Sequence, residues 1–271
     1  MNAAPQSALV LAAGRGTRMR PLTERMPKAL VPVAGRALVD RALDHVTAAG
    51  IEKATVNLHH FADQLDAHLS TRSKPMITLS DERDALLDTG GGLAAASHLL
   101  GDGPVITLNA DAVFAGPEPL MVLKAAWADC DADLLMLLVP REATVGYTRP
   151  GDFFLAHDGA APHRRGPAPS APFVFTGAQI AGPRARTIAA SIADEEPVFS
   201  LNLVWDRLLS EGRLAAVRWP VGPGTAAAQG AWADVGTPAG IAEAEGALAR
   251  WSATEPALMP RPVPAPVTEG P

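Results

Sequence analysis

The chain has 271 residues, of which 48% are hydrophobic and 19% are charged, and its formal net charge is -6. This length and composition predict a folded protein with a substantial core rather than a disordered chain. The acidic balance argues against a nucleic-acid partner, and no apolar run approaches the length of a membrane helix, which argues against a membrane partner.

Strand and helix patterns alternate through the first half of the chain. Short apolar runs indicate buried strands, and apolar residues at helical spacing indicate helices that pack on a sheet. The predicted strands are 8–11, 54–58, 76–79, 105–108 and 133–139, and the predicted helices are 37–49, 63–69, 93–100 and 118–128. This alternation predicts an α/β fold, a single Rossmann-like domain with a mixed, mostly parallel sheet flanked by helices.

The second half of the chain is less regular and predicts a smaller, β-rich part. The predicted strands are 152–156, 173–180 and 214–217, and the predicted helices are 201–209 and 237–250. The segment 157–167 is predicted to be a mobile hairpin tip. Residues 252–271 are rich in proline and alanine without periodicity, which predicts a disordered tail and places the domain at 1–251.

The first predicted strand runs into a loop that suits phosphate. Residues 11–19 read Leu-Ala-Ala-Gly-Arg-Gly-Thr-Arg-Met. Glycines let the backbone approach an anion, exposed amides donate to phosphate oxygens, and arginines neutralise negative charge. A Walker loop would need a lysine after Gly16, and the dinucleotide fingerprint would need a third glycine where Met19 stands. The loop therefore predicts a polyphosphate site of another kind.

A second run follows this loop, Pro-Lys-Ala-Leu-Val-Pro-Val-Ala-Gly at 27–35. Together, the two runs resemble the signature of the sugar-1-phosphate nucleotidyltransferases. The resemblance implies that a sugar 1-phosphate attacks the α-phosphorus of a nucleoside triphosphate and that pyrophosphate leaves. It also implies a nucleotide-binding half at 1–140 and a sugar-binding half at 141–251.

Positive charge for the two polyanionic substrates comes from three residues. The resemblance implies that Arg15 and Arg18 bind the outgoing β- and γ-phosphates and that Lys28 lies between the α-phosphate and the sugar phosphate. A lysine suits that position because it is a compact charge that can serve both reactants. Arg15 and Lys28 are predicted to be catalytic, and Gly16, Thr17 and Arg18 are predicted to bind substrate.

Two aspartates stand where the resemblance implies metal ligands. Asp111 ends the run Leu-Asn-Ala-Asp after the predicted strand 105–108, and Asp234 lies in Trp-Ala-Asp-Val-Gly-Thr-Pro at 232–238. Carboxylate oxygens suit magnesium. The resemblance implies that Asp111 and Asp234 share Mg²⁺, although Ala110 stands where the family carries glycine.

The resemblance implies that the run Asp-Thr-Gly-Gly-Gly-Leu at 88–93 contacts the base, together with the backbone of Ala13 and Gly14. Three glycines that open a helix would expose amides to a carbonyl group or a phosphate. The Thr-Gly-Gly-Gly form resembles that of uridylyltransferases for N-acetylmuramic acid 1-phosphate, and a tight connection without a ligand is the alternative. The residues predicted to bind substrate here are Ala13, Gly14, Thr89, Gly90 and Gly91.

The sugar end is predicted from polar groups at strand ends. The resemblance places Asp152, Thr176 and Gly177 beside the hexose, with Asn109 near the same junction. Asn57, at the end of its strand, is also predicted to face the pocket. His59 and His60 are not predicted to bind a metal, because no further ligand has suitable spacing.

The resemblance as a whole implies uridylyl transfer from UTP to N-acetylmuramic acid 1-phosphate, with Mg²⁺, in peptidoglycan recycling. One alternative is a guanylyltransferase for mannose- or heptose-1-phosphate. Another is a catalytically silent nucleotide-sugar sensor, which would be expected to lack a phosphate-binding or metal residue, and none is missing. Phosphocholine cytidylyl transfer would need an aromatic cage, which the lone Tyr147 and the scattered tryptophans do not supply.

The expected location is the cytoplasm. The single cysteine, Cys130, permits no internal disulfide, and this is compatible with a reducing compartment. Residues 1–5 lack the basic and apolar regions of a signal peptide.

Overall fold

A mixed β-sheet with helices on both of its faces organises the chain. The computed structural model describes residues 2–156, 161–219 and 230–258. Its strands are β1 (Ser7–Leu11), β2 (Pro32–Val33), β3 (Arg36–Ala37), β4 (Lys53–Leu58), β5 (Met76–Asp81), β6 (Val105–Asn109), β7 (Ala112–Ala115), β8 (Leu134–Pro140), β9 (Thr144–Val145), β10 (Phe153–Leu155), β11 (Pro162–Arg164), β12 (Phe173–Ala181), β13 (Leu214–Arg218) and β14 (Ala231–Asp234).

The helices connect these strands. They are α1 (Leu38–Ala48), α2 (Ala62–Leu69), α3 (Asp88–Ala96), α4 (Pro119–Ala128), α5 (Pro183–Glu195), α6 (Asn202–Ser210) and α7 (Pro238–Leu258). Short 3₁₀ turns include Thr17–Met19 and Lys28–Leu30, both in the loop region after β1. Among the helices of the described ranges, none combines the length and the apolar character needed to span a bilayer.

The central sheet runs through both halves of the chain. Its order is β13-β8-β12-β6-β1-β4-β5, and β10 and β11 extend from the start of β12. Strand β1 is parallel to both β4 and β6, whereas β12 is antiparallel to β6 and β8. This arrangement confirms the predicted single α/β domain with a mixed sheet, and it joins the two predicted halves through β6 and β12.

Alternate side chains of β1 enter two cores on opposite faces of the sheet. Ala8 and Val10 belong to a core with residues of α1, α2 and α4. Leu9 belongs to a second core with residues of α3, α5 and α6. Because helices cover both faces, the strands are buried on both sides and appear as continuous apolar runs in the sequence.

A second, small sheet lies beside the ends of the central strands. It has the order β7-β14-β9, with β14 antiparallel to β7 and parallel to β9. Its strands are too short to give a periodic signal, and the sequence predicted none of them. Met19, Val113 and Ala244 share a core there, so the loop after β1 packs with β7 and α7.

Several boundaries differ from the predictions. Helix α3 begins at Asp88 and includes the glycine run, whereas the predicted helix began at residue 93. Helix α5 was not predicted, because its buried face consists of the small side chains Ala185 and Ala189. Helix α7 ends at Leu258, so the first residues of the predicted tail are helical, and 259–271 lie outside the described residues.

Part of the predicted hairpin tip forms a strand. Strands β10 and β11 pair in antiparallel register, with Leu155 opposite Pro162. The structure therefore assigns residues 162–164 to a strand, and residues 157–160 of the predicted tip lie outside the described residues.

Candidate active site

A buried side chain from the neighbouring strand fixes the backbone after β1. Asn57, in β4, is 3% exposed, and its Oδ1 accepts hydrogen bonds from the amides of Ala12 (2.6 Å) and Ala13 (3.2 Å). Gly16 has a φ of +60°, and a Cβ there would lie 2.8 Å from Thr23 Cγ2, so the turn requires glycine. Thr23 Oγ1 also donates to the carbonyl oxygen of Gly16 at 2.8 Å. The protein itself thus holds the loop in one conformation.

A cavity of about 250 Å³ lies against this loop, and we name it the charged cavity. Lys28 Nζ lies 2.5 Å from Asp111 Oδ2, and the two side chains are 13% and 29% exposed. Arg18 lines the same cavity near Gly236, where a Cβ would lie 3.2 Å from Arg18 Nη2. Two cations and a carboxylate therefore converge, which suits a polyanion. The predicted residues that line the charged cavity are Gly14, Gly16, Thr17, Arg18, Lys28 and Asp111.

Asp234 lies beside Asp111 because β14 pairs with β7. Its register partner is Ala112, and the amide of Val235 donates to the carbonyl oxygen of Asp111 at 3.1 Å. Burial, followed by the negative charge of Asp111, raises the pKa of the Asp234 carboxyl above its ordinary value. Arg149 offsets part of this charge, since its Nη2 lies 3.0 Å from Asp234 Oδ2.

The two neighbouring carboxylates have the donor chemistry of a divalent cation site. The repulsion between them would be relieved by a cation that both contact. Within the described ranges, no group of three or more His, Cys, Asp or Glu residues is placed to hold a metal ion. This donor set fits a metal that takes its remaining ligands from water and substrate phosphates, as Mg²⁺ commonly does.

A second cavity of about 410 Å³, the adjoining cavity, shares Leu11, Gly14 and Asp111 with the charged cavity. Glu82 lines it and is 3% exposed, and Asn57 Nδ2 donates to its Oε1 at 2.8 Å. Burial raises the pKa of the Glu82 carboxyl. Glu82 thus orients the amide of Asn57 that holds the loop. The predicted residues that line the adjoining cavity are Ala13, Gly14, Asn57, Thr89, Asn109 and Asp111.

The glycine run differs from its predicted role. The amides of Gly90 and Gly91 both donate to the carbonyl oxygen of Phe199, at 2.9 and 3.1 Å. A Cβ at Gly90 would overlap the Phe199 ring, and a Cβ at Gly91 would overlap the carbonyl oxygen of Pro197. The glycines therefore allow the segment before α6 to pack on α3, and their amides are already hydrogen-bonded within the protein. This corrects the prediction that these amides face a ligand.

The two arginines of the loop line different cavities. Arg18 lines the charged cavity, whereas Arg15 lines an outer cavity of about 430 Å³ with Arg20, His59 and His60. The implied role of both arginines at the outgoing phosphates stays a prediction, and Arg18 is the one that lines the cavity with Lys28 and Asp111.

The predicted sugar-binding residues are engaged mainly with protein atoms. Asp152 Oδ2 accepts from the amide of Phe175 at 3.0 Å, and its Oδ1 accepts from Tyr147 at 3.3 Å. Thr176 is fully buried, and its hydroxyl donates to the carbonyl oxygen of Leu137 at 2.9 Å. The side chains of Asp152 and Thr176 thus hold the strands together rather than line either of the two site cavities.

Gly177 supports Asn109 from the neighbouring strand. Its φ is +86°, and a Cβ there would lie 2.9 Å from Asn109 Cβ. Glycine therefore permits the close approach that places Asn109 at the wall of the adjoining cavity.

Two residues of the site were not predicted from the sequence. Glu82 follows β5, and a carboxylate at the carboxyl end of a parallel strand is the signal that would have indicated it. Arg149 lies in a loop without a pattern, and only the folded chain brings it to Asp234.

Comparison with known proteins identifies a matching family and several relatives. Residues 8–144 match the family described as the MobA-like NTP transferase domain. An N-acetylmuramate alpha-1-phosphate uridylyltransferase of Caulobacter vibrioides is 41% identical over 255 residues, which are 92% of this chain and 99% of the relative. The catalytic subunit beta of a mannose-1-phosphate guanylyltransferase of Xenopus tropicalis is 32% identical over 120 residues, which are 42% of this chain and 33% of that protein.

A solved structure has the same fold at low sequence identity. The inositol-1-phosphate CTP transferase from T. maritima superposes with a TM-score of 0.73 and 15% identity, covering 93% of this chain and 98% of that chain. At this identity, the likeness describes the arrangement of the strands and helices.

Proposed function

The chain belongs to the MobA-like NTP transferase family, and we propose that it transfers the uridylyl group of UTP to N-acetylmuramic acid 1-phosphate. The products would be UDP-N-acetylmuramic acid and pyrophosphate. The observation that carries the chemistry is the convergence of Arg18, Lys28 and Asp111 on one cavity at the ends of β1 and β6. The relative of nearly equal length supports the choice of base and sugar.

In the proposed reaction, a phosphate oxygen of the sugar 1-phosphate attacks the α-phosphorus of UTP. The bond from that phosphorus to the bridging oxygen of the β-phosphate breaks, and pyrophosphate leaves with the electron pair. Lys28 would neutralise charge that builds up on the α-phosphate, and Arg18 would hold the leaving pyrophosphate. Fixed positive charges are most effective when the fold positions them before the reaction, as the ion pair of Lys28 does.

Magnesium is part of the proposal, with Asp111 and Asp234 as its ligands. When bound, Mg²⁺ would supply positive charge to the phosphates and fix their geometry for in-line attack. With Asp111 holding the metal, the neighbouring Lys28 ammonium group would be available to the substrate phosphates. Likewise, with Asp234 holding the metal, Arg149 would be free to contact another anion.

The proposal also covers the base of the nucleotide, the metabolic role and the location of the protein. The uracil would lie in the adjoining cavity, whose wall Asn57 and Glu82 keep rigid. Guanylyl transfer has the weaker support, because the guanylyltransferase relative matches less than half of this chain. A role in peptidoglycan recycling and a cytoplasmic location follow from the proposed sugar and from the single cysteine, which suits a reducing compartment.

Pyrophosphate release with Mg²⁺ across the four nucleoside triphosphates and a panel of sugar 1-phosphates tests this function. The panel contains the 1-phosphates of N-acetylmuramic acid, N-acetylglucosamine, glucose and mannose. The expected result is the highest kcat/KM for UTP with N-acetylmuramic acid 1-phosphate, with UDP-N-acetylmuramic acid identified by mass spectrometry. Preference for GTP with mannose 1-phosphate would favour the guanylyltransferase, and nucleotide binding without turnover would favour the sensor.

A further inference from the structure

Arg149 occupies an unusual position between a candidate metal ligand and an aromatic ring. Its guanidinium carbon lies 4.9 Å from the centroid of the Tyr147 ring, and its Nη2 lies 3.0 Å from Asp234 Oδ2. Its side chain is nevertheless 57% exposed. Tyr147 is itself fixed, since it contacts Trp232 with a centroid distance of 6.1 Å and donates to Asp152. The guanidinium therefore lies over the Tyr147 ring, contacts Asp234 and remains partly exposed to solvent.

Several other arginines of the second half are committed to structural contacts. Arg164 contacts Asp206 and Asn202, and Arg165 donates to backbone carbonyl oxygens of its own hairpin. Arg149 instead approaches the aspartate at which the two halves of the molecule meet. Arg149 is thus a partly exposed cation of the second half that lies beside Asp234, whose neighbour Asp111 lines the charged cavity.

The contact between Arg149 and Asp234 would compete with a metal ion for the same carboxylate. If Asp111 and Asp234 held a divalent cation, the cation would neutralise Asp234 and Arg149 would be free to contact another anion. A planar guanidinium that is stacked on a ring and freed from its carboxylate is suited to bind another carboxylate in bidentate fashion.

The proposed sugar substrate carries two anionic groups, the 1-phosphate and the carboxylate of its lactyl ether. Lys28 and the metal serve the phosphate in the proposed reaction, which leaves the lactyl carboxylate without a counter-charge. We infer that Arg149 is the specificity-determining residue that binds this carboxylate. The inference rests on the proposed function and adds to it the residue that distinguishes N-acetylmuramic acid from N-acetylglucosamine.

The test compares two sugar 1-phosphates that differ only in the lactyl group. We would measure kcat and KM of the wild type, R149A and R149K with UTP and either N-acetylmuramic acid 1-phosphate or N-acetylglucosamine 1-phosphate. R149A should lower kcat/KM for the first sugar by about 10- to 100-fold, chiefly through KM, since a hydrogen bond to a charged group is lost. The second sugar should change by less than about threefold, and R149K should lie between the wild type and R149A.

Binding of the reaction products supplies a readout that does not depend on turnover. In calorimetry, R149A should bind UDP-N-acetylmuramic acid more weakly than the wild type by a similar factor, and UDP-N-acetylglucosamine almost equally. R141A is the matched control, because Arg141 lines a separate open cavity with Tyr147 and Phe154. It should keep the wild-type selectivity, and a loss of selectivity in R141A alone would overturn the assignment to Arg149.

The outcomes separate this inference from the proposed function. If the wild type turns over N-acetylmuramic acid 1-phosphate and R149A lowers kcat/KM equally for both sugars, the carboxylate assignment is wrong and the function stands. If the wild type does not accept N-acetylmuramic acid 1-phosphate, both are wrong.

Discussion

The two halves of the molecule use polar residues in different ways. In the half formed by residues 1–140, Arg18, Lys28 and Asp111 face a cavity. In the half formed by residues 141–251, Asp152 and Thr176 are bonded to protein atoms that hold strands together. Polar residues at strand ends therefore indicate ligand contacts only where the fold leaves their atoms free.

The largest effect is expected in the first half, at Lys28. Lys28→Ala removes the positive charge closest to Asp111, and we expect kcat to fall by about 10²- to 10³-fold because charge compensation is strongest in the transition state. Steady-state pyrophosphate release measures it. Lys53→Ala, at an exposed position in β4, is the control and should match the wild type. If Lys28→Ala kept the wild-type kcat, the proposed role of Lys28 would be wrong.

The two arginines of the loop allow a comparison of two cavities within the first half. Arg18→Ala should lower kcat/KM for UTP by about 10- to 100-fold, since Arg18 lines the charged cavity. Arg15→Ala should have an effect below about fivefold, since Arg15 lines the outer cavity. Initial rates at varied UTP concentration compare them. A larger effect of Arg15→Ala than of Arg18→Ala would support the catalytic role that the sequence predicted for Arg15.

Substitutions in the glycine run test whether this motif binds a ligand or packs against the segment before α6. Gly91→Ala should lower the free energy of unfolding by about 1–3 kcal/mol, because a Cβ would overlap the Pro197 carbonyl oxygen. Gly103→Ala, where no atom lies within 4 Å of the added Cβ, should change it by less than about 0.5 kcal/mol. Urea unfolding measures both. If Gly91→Ala were as stable as the wild type but no longer bound UTP, the result would support the prediction that these amides contact the ligand.

The smallest effect is expected from the buried carboxyl of Glu82. Its pKa is raised in the folded state by burial, so the folded protein holds this proton at pH values where the unfolded chain has lost it. Stability should therefore fall as the pH rises from the ordinary pKa of glutamate to the raised value. Glu82→Gln keeps an acceptor for Asn57 and should reduce this dependence, as measured by urea unfolding across that pH window. An identical pH dependence in both proteins would contradict the assignment.

The sequence predicted the parts of the molecule that depend on local patterns. The loop after β1, the central strands and the family follow from apolar runs, from the glycines and from the two-part signature. The contact of Gly90 with Phe199 joins residues far apart in the chain, and no local pattern encodes it. Likewise, Arg149 meets Asp234 only because the strands β7, β14 and β9, too short to be predicted, form a sheet.

The proposal depends most on Asp111 from one half and Asp234 from the other as the residues that would hold the same divalent metal. A magnesium titration of pyrophosphate release by the wild type, Asp111→Asn and Asp234→Asn tests it, with Asp102→Asn in an exposed loop as the control. Both site variants should need at least about tenfold more Mg²⁺ for half-maximal rate and lose most of kcat, while the control matches the wild type. Wild-type kcat and magnesium dependence in either site variant would contradict it.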